Sequence, residues 1–443
     1  MLRRSPGFLA LLLLASCQAP LLTETTGLRP SASAVDLAQD SLWAPMEAAI
    51  RSTLETNGVP GAVLLVARNG KVVGHEAFGE ADPLTGDPMT MEAQFRICSQ
   101  TKAITAMAAM VLWERGQLGL DEPVSTYLPE FADIGVLDTL LADSTGVYSP
   151  PSRPVTIRHL MTHTSGIPYG DIGDPRFAKL YAKQGVVDLF PVDGRSTRDN
   201  ASRMARTGLA HDPGEQWTYG LGLDVLVAVI EVASGRPYAE FLRTELLDPL
   251  GMDHTHFVLP EDQRGHLLEV FEPDSEGTWK PHQHPAYTTE YPTREDWPLC
   301  SGGAGLTSTA MDYARFLQMV LDRGATPGGR LLEEATIDTI LADHAPGLVD
   351  GDWYQGLAFG VRKEPEGQGR FFWGGYFNTQ GVRGSGHRRI GPPDEADLRS
   401  PKRQHLLGLQ RPSRTLIHGG GQRSRLRPGL CCSCVRRRFS VMR

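Results

Sequence analysis

The chain has 443 residues, of which 40% are hydrophobic, and a formal net charge of −8. A chain of this length can bury a large core and wall a cleft, as an enzyme requires, and by size alone it allows two or three domains. Between Cys17 and residue 430 it contains two cysteines, Cys98 and Cys300, which are too few for a disulfide framework. We expect both to be small buried side chains, and nothing in the composition indicates a nucleotide or nucleic-acid partner.

The first residues have the pattern of an export signal. Arg3 and Arg4 precede an apolar run over residues 8–14, and small residues then lead to Cys17. The apolar run is too short to span a bilayer as a helix. We therefore predict that residues 1–16 are a signal peptide.

Cys17 indicates how the exported chain is held. The junction over residues 14–17 resembles the lipobox of bacterial lipoproteins, in which the new N-terminal cysteine receives lipid. Gln18 is not the aspartate that usually retains lipoproteins at the inner membrane. The resemblance therefore implies a lipid-anchored protein on the periplasmic side of the bacterial cell envelope and, in a host that has an outer membrane, predicts that membrane as its location. Residues 17–38, rich in Ser, Thr, Pro and Ala, are then a tether; an ordinary secretory signal with an incidental cysteine is the alternative.

The next segment predicts a helix followed by a hairpin. Apolar residues recur at every fourth position over residues 42–56, which indicates an amphipathic helix. Apolar runs over 62–67 and 72–78 flank Asn69-Gly70, a dipeptide that suits the type I′ turn between two antiparallel strands.

Helices predominate in the middle of the chain. From Ser99 to Arg115 the sequence has no Gly or Pro, and it stops at Gly116, which predicts a buried helix with Ser99 in its first turn. Residues 117–290 have Pro- and Gly-rich loops and little strand pattern. They are predicted to be a helical insertion, with helices around 156–162, 222–234 and 238–248.

Two further elements complete the fold class. Residues 307–323 have helical spacing, and residues 370–375 have the composition of a strand. A strand pair, an inserted helical region and a returning strand predict an α+β fold with a cleft between its layers.

Ser99 and Lys102 form the single Ser-x-x-Lys pair of the sequence. Three residues along a helix rotate about 300° and rise about 4.5 Å, so the two side chains lie on one face within reach of each other. A serine nucleophile needs a neighbour that accepts its proton, and a lysine shielded from water in a cleft can do so. The pair is a candidate nucleophile and base; the alternative is a helix cap followed by a solvated lysine.

Five ordered stretches carry a resemblance to a known family. The first covers residues 95–102 and continues over 116–124 and 127–131; the others cover 160–166, 213–219, 301–306 and 372–375. They resemble the serine β-lactamase-like superfamily of penicillin-recognising enzymes, and specifically its class C-related esterases and D-peptidases. The resemblance implies a β-lactamase/transpeptidase-like antiparallel sheet flanked by helices. It implies one hydrolase domain over residues 39–380, with the helical insertion at about 117–290.

The resemblance also assigns a third catalytic group. Tyr219 stands where the family has a tyrosine that faces the nucleophile, and its phenol would share a proton with Lys102. The alternative is a core tyrosine packed beside Trp217. The family's asparagine two residues later is Leu221 here, which puts amide recognition in doubt.

The wall motif departs from the commonest family pattern. Trp373-Gly374-Gly375 replaces Lys-Thr-Gly, as in family members that act as esterases, so the pocket lacks a fixed cation for a carboxylate. Ester substrates are therefore favoured over β-lactams. By analogy, the backbone N–H groups of Ser99 and Tyr376 would form the oxyanion hole.

The last 63 residues, 381–443, differ from the rest of the chain. They hold fifteen Lys and Arg against three acidic residues and show no alternating apolar run. The family instead places two apolar strands and a final helix here, with the strands between the Trp-Gly-Gly strand and the first hairpin. We therefore expect the C-terminal strands to be missing or replaced. The hypothesis is a tail read out of frame; the alternative is a natural basic tail that binds anionic surfaces.

The predicted activity is hydrolysis of carboxylic esters through an acyl-enzyme on Ser99. The expected partners are a small-molecule ester or amide and a membrane reached through the lipid on Cys17. His159 and His163 are spaced as zinc ligands can be, but no Glu follows His159 and no third ligand is evident, so no metal or cofactor is predicted. The alternatives are a β-lactamase or D-amino-acid peptidase of the same family, and a catalytically impaired lipoprotein that is either a binding protein or vestigial.

Overall fold

The computed structural model describes residues 27–28, 43–384 and 389–390, apart from 171, 189, 191–193, 285–286, 297–298 and 364–369. Its helices are α1 (Trp43–Asn57), α2 (Thr101–Glu114), α3 (Ile157–Met161), α4 (Pro175–Gln184), α5 (Thr197–Ala205), α6 (Gly222–Ser234), α7 (Tyr238–Leu242), α8 (Ala310–Leu321) and α9 (Glu334–Leu341). The chain after α7 continues through a π-helical turn (Arg243–Leu247) into a last helical turn (Asp248–Leu250).

The strands of the described residues are short except in the first hairpin. In chain order they are β1 (Gly61–Arg68), β2 (Lys71–Asp82), β3 (Asp87–Pro88), β4 (Phe95–Arg96), β5 (Val136–Leu140), β6 (Gly146–Ser149), β7 (Phe271–Pro273), β8 (Trp279–Pro281), β9 (Thr307–Ser308), β10 (Ala325–Thr326), β11 (Gly329–Arg330), β12 (Trp353–Gln355), β13 (Gly360–Arg362), β14 (Phe371–Gly374), β15 (Gln380–Gly384) and β16 (Arg389–Ile390). Eight of them form one antiparallel sheet in the order β12-β13-β14-β15-β16-β1-β2-β3.

Strand β1 connects two hydrophobic layers. Its side chains alternate between the faces of the sheet: Leu64 and Val66 pack with Trp43 of α1, whereas Leu65 and Ala67 contact the main core. The predicted α+β fold is confirmed, because α1 covers one face of the sheet and the helical body covers the other.

The predicted hairpin is confirmed as well. Residues pair continuously from Gly61 with Gly79 to Arg68 with Lys71, apart from one bulge. In the turn, Asn69 has a φ of +52° and Gly70 a φ of +72°, as a type I′ turn requires.

Helices α2 and α6 lie at the centre of the helical body. Residues 101–112 of α2 are all buried, as are residues 222–230 of α6. This is possible because both helices are mostly apolar, while Lys102 and Asp224 have hydrogen-bond partners. Gly116 and Gly235 follow the two helices with φ near +68°, as expected of residues that end a helix. The prediction needs one adjustment, since Ser99 lies in a 3₁₀ turn directly before α2.

The insertion contains strands that the sequence pattern did not indicate. Strands β5 and β6 pair as one hairpin, and β7 and β8 pair as another. Elements this short have too few residues for a clear alternation of apolar and polar side chains. The predicted helical insertion with little strand therefore also contains two short hairpins, at residues 136–149 and 271–281, which the sequence pattern did not place.

The expectation was that the C-terminal strands are missing or replaced, and the structure shows that they are not missing: two short strands, Gln380–Gly384 and Arg389–Ile390, follow Thr379. Strand β15 pairs with β14, with Trp373 opposite Gly381, and β16 pairs with both β15 and β1. The sheet is thus continuous from the Trp-Gly-Gly strand to the first hairpin. Backbone hydrogen bonds to neighbours on both sides form these strands without alternating apolar side chains. Residues 391–443, where the family has its final helix, lie outside the described residues.

Two residues of the predicted tether contact the domain. The Gly27 N–H donates to Asp322 Oδ2 at 3.1 Å, and Leu28 packs against the main core. The predicted signal peptide, Cys17 and the other residues of the tether are outside the described part of the chain. Within the described part, no helix combines the length and the apolar character that crossing a membrane requires.

Candidate active site

Ser99 and Lys102 come together as the helical spacing predicts. Ser99 lies in the 3₁₀ turn Cys98–Gln100 and Lys102 in the first turn of α2. Lys102 is fully buried, whereas Ser99 is partly exposed. The Lys102 Nζ lies 3.2 Å from the Ser99 Oγ. The candidate nucleophile is therefore accessible, and its partner is shielded from water.

Cys98 gives this turn an unusual backbone. Its φ is +44°, a left-handed conformation that costs energy for any residue with a Cβ and that is found mainly at functional sites. Burial raises the pKa of its thiol to about 12, against a smaller opposing effect of the backbone amides of Phe377 and Tyr376 beside the sulfur. The buried thiol thus anchors the residue that precedes Ser99.

Lys102 has three hydrogen-bond partners. Its Nζ contacts the Ser99 Oγ, the Tyr169 Oη at 3.0 Å and the Gly303 carbonyl at 2.8 Å. The carbonyl can only accept, but each hydroxyl can accept or donate. The same arrangement therefore suits an ammonium that donates three times and an amine that accepts the Ser99 proton. A proton can pass from serine to lysine without movement of the heavier atoms.

Tyr169 is a site residue that the sequence analysis missed. Burial, followed by the nearby Tyr219, raises its pKa well above the ordinary value, so its phenol is neutral. The available signal was its position three residues after Gly166, at the end of one of the family stretches. No local pattern connects it with Lys102, which lies 67 residues earlier.

Tyr219 contacts Lys102 with the face of its ring. The Nζ lies 4.7 Å from the ring centre, within the range of a cation–π interaction. Among the hydrogen bonds of the described residues, Tyr169 rather than Tyr219 accepts from Lys102. Tyr219 also lies beside Trp217, at 6.2 Å between ring centres. Its contacts therefore agree both with a tyrosine packed beside Trp217 and with a residue that contacts Lys102. Proton transfer by its hydroxyl stays a prediction.

His159 and His163, which are spaced as zinc ligands can be, contact different groups. His163 is buried and stacks on Trp373 at 5.9 Å; burial, then the charge of Lys102, lowers its pKa well below the ordinary value. The His159 Nδ1 accepts the Thr156 N–H in the capping box of α3. Across the described residues, no group of three or more His, Cys, Asp or Glu is arranged to hold a metal ion.

Strand β14 and the turn after it lie against the segment that carries Ser99. A Cβ on Gly375 would lie 2.3 Å from the Ile97 carbonyl and 2.2 Å from the Thr379 Oγ1, so a side chain there would force the two segments apart. The Thr379 hydroxyl donates to the same Ile97 carbonyl at 3.2 Å, and the Gly375 N–H donates to the Thr379 carbonyl at 2.7 Å. These contacts hold Tyr376, the predicted oxyanion-hole residue, close to the nucleophile turn.

The remaining wall residues provide an aromatic surface. Trp373 is buried, and its ring centre lies 6.1 Å from that of Tyr219. A Cβ on Gly374 would lie 2.6 Å from the Gln380 Nε2, so a side chain there would require the Gln380 side chain to move. The resemblance predicts that the Trp373 indole stands where Lys-Thr-Gly enzymes carry their lysine.

Tyr376 begins a chain of hydrogen bonds at the edge of the site. Its side chain, 47% exposed, is hydrogen-bonded to Tyr287. The Tyr287 hydroxyl contacts the His282 Nε2 at 2.8 Å, and the His282 Nδ1 contacts Glu272 Oε2 at 2.7 Å. This chain ties the turn after β14 to the β7–β8 hairpin, and sequence reasoning did not foresee it.

Comparison with known proteins identifies the family. A sequence model of the family "Beta-lactamase" matches residues 46–385. The chain is 36% identical over 328 residues to Esterase EstB of Burkholderia gladioli, which covers 72% of this chain and 78% of that protein. It is 28% identical over 350 residues to the lovastatin esterase of Penicillium rubens, with 76% and 84% covered.

Solved structures agree with these sequence matches. The fold superposes with a TM-score of 0.67 on EstCE1, described as a hydrolase with promiscuous acyltransferase activity, at 25% identity over 81% of this chain and 93% of that one. It superposes with a TM-score of 0.59 on a penicillin-binding protein homologue from Pyrococcus abyssi, at 25% identity over 78% and 72% of the two chains. This chain therefore belongs to the serine β-lactamase family, whose named relatives here include esterases.

Proposed function

We propose that this protein is a serine hydrolase that cleaves carboxylic esters of small molecules through an acyl-enzyme on Ser99. The observation that carries the proposal is the 3.2 Å contact between the accessible Ser99 Oγ and the buried, threefold hydrogen-bonded Lys102 Nζ. A serine in water is a poor nucleophile, and an adjacent group that takes its proton activates it.

The reaction follows from these positions. The Ser99 Oγ attacks the ester carbonyl carbon while its proton passes to Lys102, and the backbone N–H groups of Ser99 and Tyr376 stabilise the resulting oxyanion. The C–O bond of the ester then breaks, and the alcohol leaves with the proton that Lys102 returns, directly or through Tyr219. Water attacks the acyl-enzyme, releases the carboxylic acid and restores the Ser99 hydroxyl.

Three features favour esters over β-lactams and peptides. Trp373 occupies the position of the lysine that would bind a substrate carboxylate, and it lies among aromatic rings. Leu221, in place of the family's asparagine, is buried with 1% exposure, so it offers no amide to a peptide substrate. Relatives that match most of the chain are named esterases.

Hydrolysis rates of the full chain test the proposal. We expect p-nitrophenyl butyrate to acylate Ser99 faster than nitrocefin or a D-alanyl-D-alanine peptide does. Ser99→Ala should reduce the rate at least about a thousandfold. Ser275→Ala, an exposed serine, is the matched control and should change nothing. Faster acylation by nitrocefin would assign a β-lactamase instead, and a cooperative melt without any Ser99 adduct would favour the impaired lipoprotein.

We also propose that the protein is anchored by lipid on Cys17 in the bacterial cell envelope. The support is the sequence of the junction at residues 14–17 and the short apolar run before it. Expression in a Gram-negative host with labelled palmitate should give a labelled protein in the outer-membrane fraction. Cys17→Ser should abolish the label; a label that persists in this variant would contradict the proposal.

A further inference from the structure

A buried carboxylate lies on the far side of the loop that holds Lys102. Asp224, in the first turn of α6, accepts from the Ser301 hydroxyl at 2.6 Å and from the Gly303 N–H at 3.4 Å, both through Oδ1. The carbonyl of the same Gly303 accepts from the Lys102 Nζ. One residue of the 301–305 loop therefore links the aspartate to the lysine.

The other oxygen of Asp224 is directed toward the lysine side of Gly303. A Cβ on Gly303 would lie 2.4 Å from Asp224 Oδ2 and 3.3 Å from the Lys102 Nζ, so both polar atoms border the same point. Oδ2 is buried and has no hydrogen-bond partner among the described residues. A buried oxygen without a partner is costly, and the opposite charge of a nearby ammonium reduces that cost.

We propose that Asp224 is a positioning residue of this site: its carboxylate is the counter-charge for the Lys102 ammonium that forms when Ser99 gives up its proton. It also fixes the Gly303 carbonyl that holds the Lys102 Nζ. This inference rests on the proposed function, in which Lys102 is the proton acceptor. Asp224 touches neither Ser99 nor the space above it, so it acts through Lys102.

Among the described titratable groups that act on Lys102, Asp224 is the carboxylate. The titratable side chains that act on Lys102 are Cys98, His163, Tyr169, Tyr219 and Asp224. Those that act on Asp224 are Lys102, Tyr169 and Tyr238, and Asp188 acts on Tyr169. Burial raises the pKa values of the cysteine and of Tyr169 and Tyr238, so these groups are neutral near pH 7.

The charge of Asp224 should move the acid limb of the acylation rate to higher pH. The reaction needs Lys102 as a free amine, so the rate rises with pH until the cluster has lost one proton. A neighbouring carboxylate favours the protonated form and moves this acid limb to higher pH. Removal of the charge should move the limb to lower pH, and the plateau rate should fall because the ammonium formed during acylation loses its counter-charge.

Asp224→Asn separates charge from hydrogen bonding, because its side-chain oxygen can still accept from Ser301 and Gly303. The measurement is the pH profile of Ser99 labelling by a fluorophosphonate in the full chain, which does not require an ester substrate. We expect the acid limb to move down by about one pH unit and the plateau rate to fall about tenfold. Asp224→Glu, which keeps the charge, should return the limb toward that of the wild type.

Folding provides a second readout. Because burial raises the pKa of Asp224 in the folded protein, the stability linked to this group is present below its unfolded pKa and is lost as the pH rises through its folded pKa. At pH 7 the charge therefore adds no stability, and Asp224→Asn should melt within roughly 4 °C of the wild type. Asp312→Asn is the matched control, since Asp312 is also buried but pairs with Arg315; its acid limb should not move.

An acid limb that stays in place in Asp224→Asn, with a lower rate at every pH, would overturn the proposal and leave Asp224 a structural residue. If Asp224→Asn fails to fold, Asp224→Ser carries the same test, because it also removes the charge and leaves a small polar side chain. If the wild type labels normally but hydrolyses no ester, the proposed function fails, and the role of Asp224 is still decided by the labelling profile.

Discussion

Two parts of the candidate site are held in different ways. The floor, residues 98–114 with the 301–305 loop, is built on a helix that is buried on all sides over residues 101–112. The wall, residues 371–384, depends on short strand pairings: three residue pairs join β14 to β15, and two join β15 to β16. Helix geometry and packing thus fix the nucleophile, whereas the surface that meets the substrate depends on strands far along the chain. Activation and recognition can therefore be damaged separately.

The largest effect is expected when the strands that support the wall are removed. A chain that ends after Thr379 lacks β15 and β16, which leaves edges of β1 and β14 unpaired in the middle of the sheet. We expect this variant to show no cooperative thermal transition, whereas a chain that ends after Ile390 should retain one. Equal melting of the two chains would mean that the described pairings of β15 and β16 add nothing.

Translation of the gene beyond codon 380 in the two other frames tests the origin of the tail. If either frame encodes two apolar strands and a helix, the out-of-frame hypothesis is supported, and the restored chain should melt at a higher temperature than the present one. If neither does, that hypothesis is wrong.

The next largest effect is expected when the proton acceptor of the floor is removed and the wall is left unchanged. Lys102→Met keeps the buried volume but removes the proton acceptor, so the rate of Ser99 labelling should fall by about a thousandfold or more. The melting transition should remain cooperative, because α2 keeps its apolar surroundings. Lys179→Met, at an exposed lysine of α4, is the control. Labelling at the normal rate in Lys102→Met would remove lysine from the mechanism.

Two tyrosines sharpen the comparison, because Tyr169 contacts Lys102 of the floor and Tyr219 contacts both Lys102 and Trp373 of the wall. Tyr219→Phe should slow acylation about a hundredfold if its hydroxyl transfers protons. Tyr169→Phe should slow it about tenfold, because Lys102 keeps two of its three hydrogen bonds. The comparison uses labelling rates at one pH with matched melting curves. The reverse order would assign proton transfer to Tyr169, whose hydroxyl already contacts the Lys102 Nζ.

The smallest expected effect displaces the wall from the floor. Gly375→Ala adds a Cβ that would lie 2.3 Å from the Ile97 carbonyl, so the turn must shift and carry Tyr376 with it. Relief of a contact this short requires a displacement on the order of 1 Å, which the turn shares with the segment it faces, so we expect kcat to fall about tenfold while the fold persists. Gly265→Ala, where a Cβ meets nothing within 4 Å, should have no effect. An unchanged kcat in Gly375→Ala would show that this contact does not position the site.

The features that the sequence predicted correctly share one property: the residues that define each of them lie close together in the sequence. The spacing of Ser99 and Lys102, the Asn69-Gly70 turn and the bounds of α6 at residues 222–234 are all local, and each agrees with the structure. The family resemblance added the expectation that Tyr219 and the Trp-Gly-Gly strand lie near the nucleophile, and the structure places the Tyr219 ring beside Lys102 and the Trp373 ring beside Tyr219.

The strands β15 and β16 show where sequence reasoning failed and why. Their residues have no alternation of apolar side chains, yet they pair because β14 and β1 present backbone groups on either side. The pairing partners are encoded elsewhere in the chain, so the strand sequence alone did not reveal them. The same holds for the hairpins of the insertion, which are too short to show a period.

The sequence by itself determined the fold class, the family and the pairing of Ser99 with Lys102, because helical periodicity and ordered motifs are readable along the chain. Only the tertiary structure decided which other groups surround the lysine. Tyr169 lies 67 residues from Lys102 and Gly303 lies 201 residues from it. Asp224 is linked to Lys102 through Gly303, and no local pattern connects that loop to α6. Contacts at such separations depend on how buried helices pack, and packing is a property of the whole core rather than of any one segment.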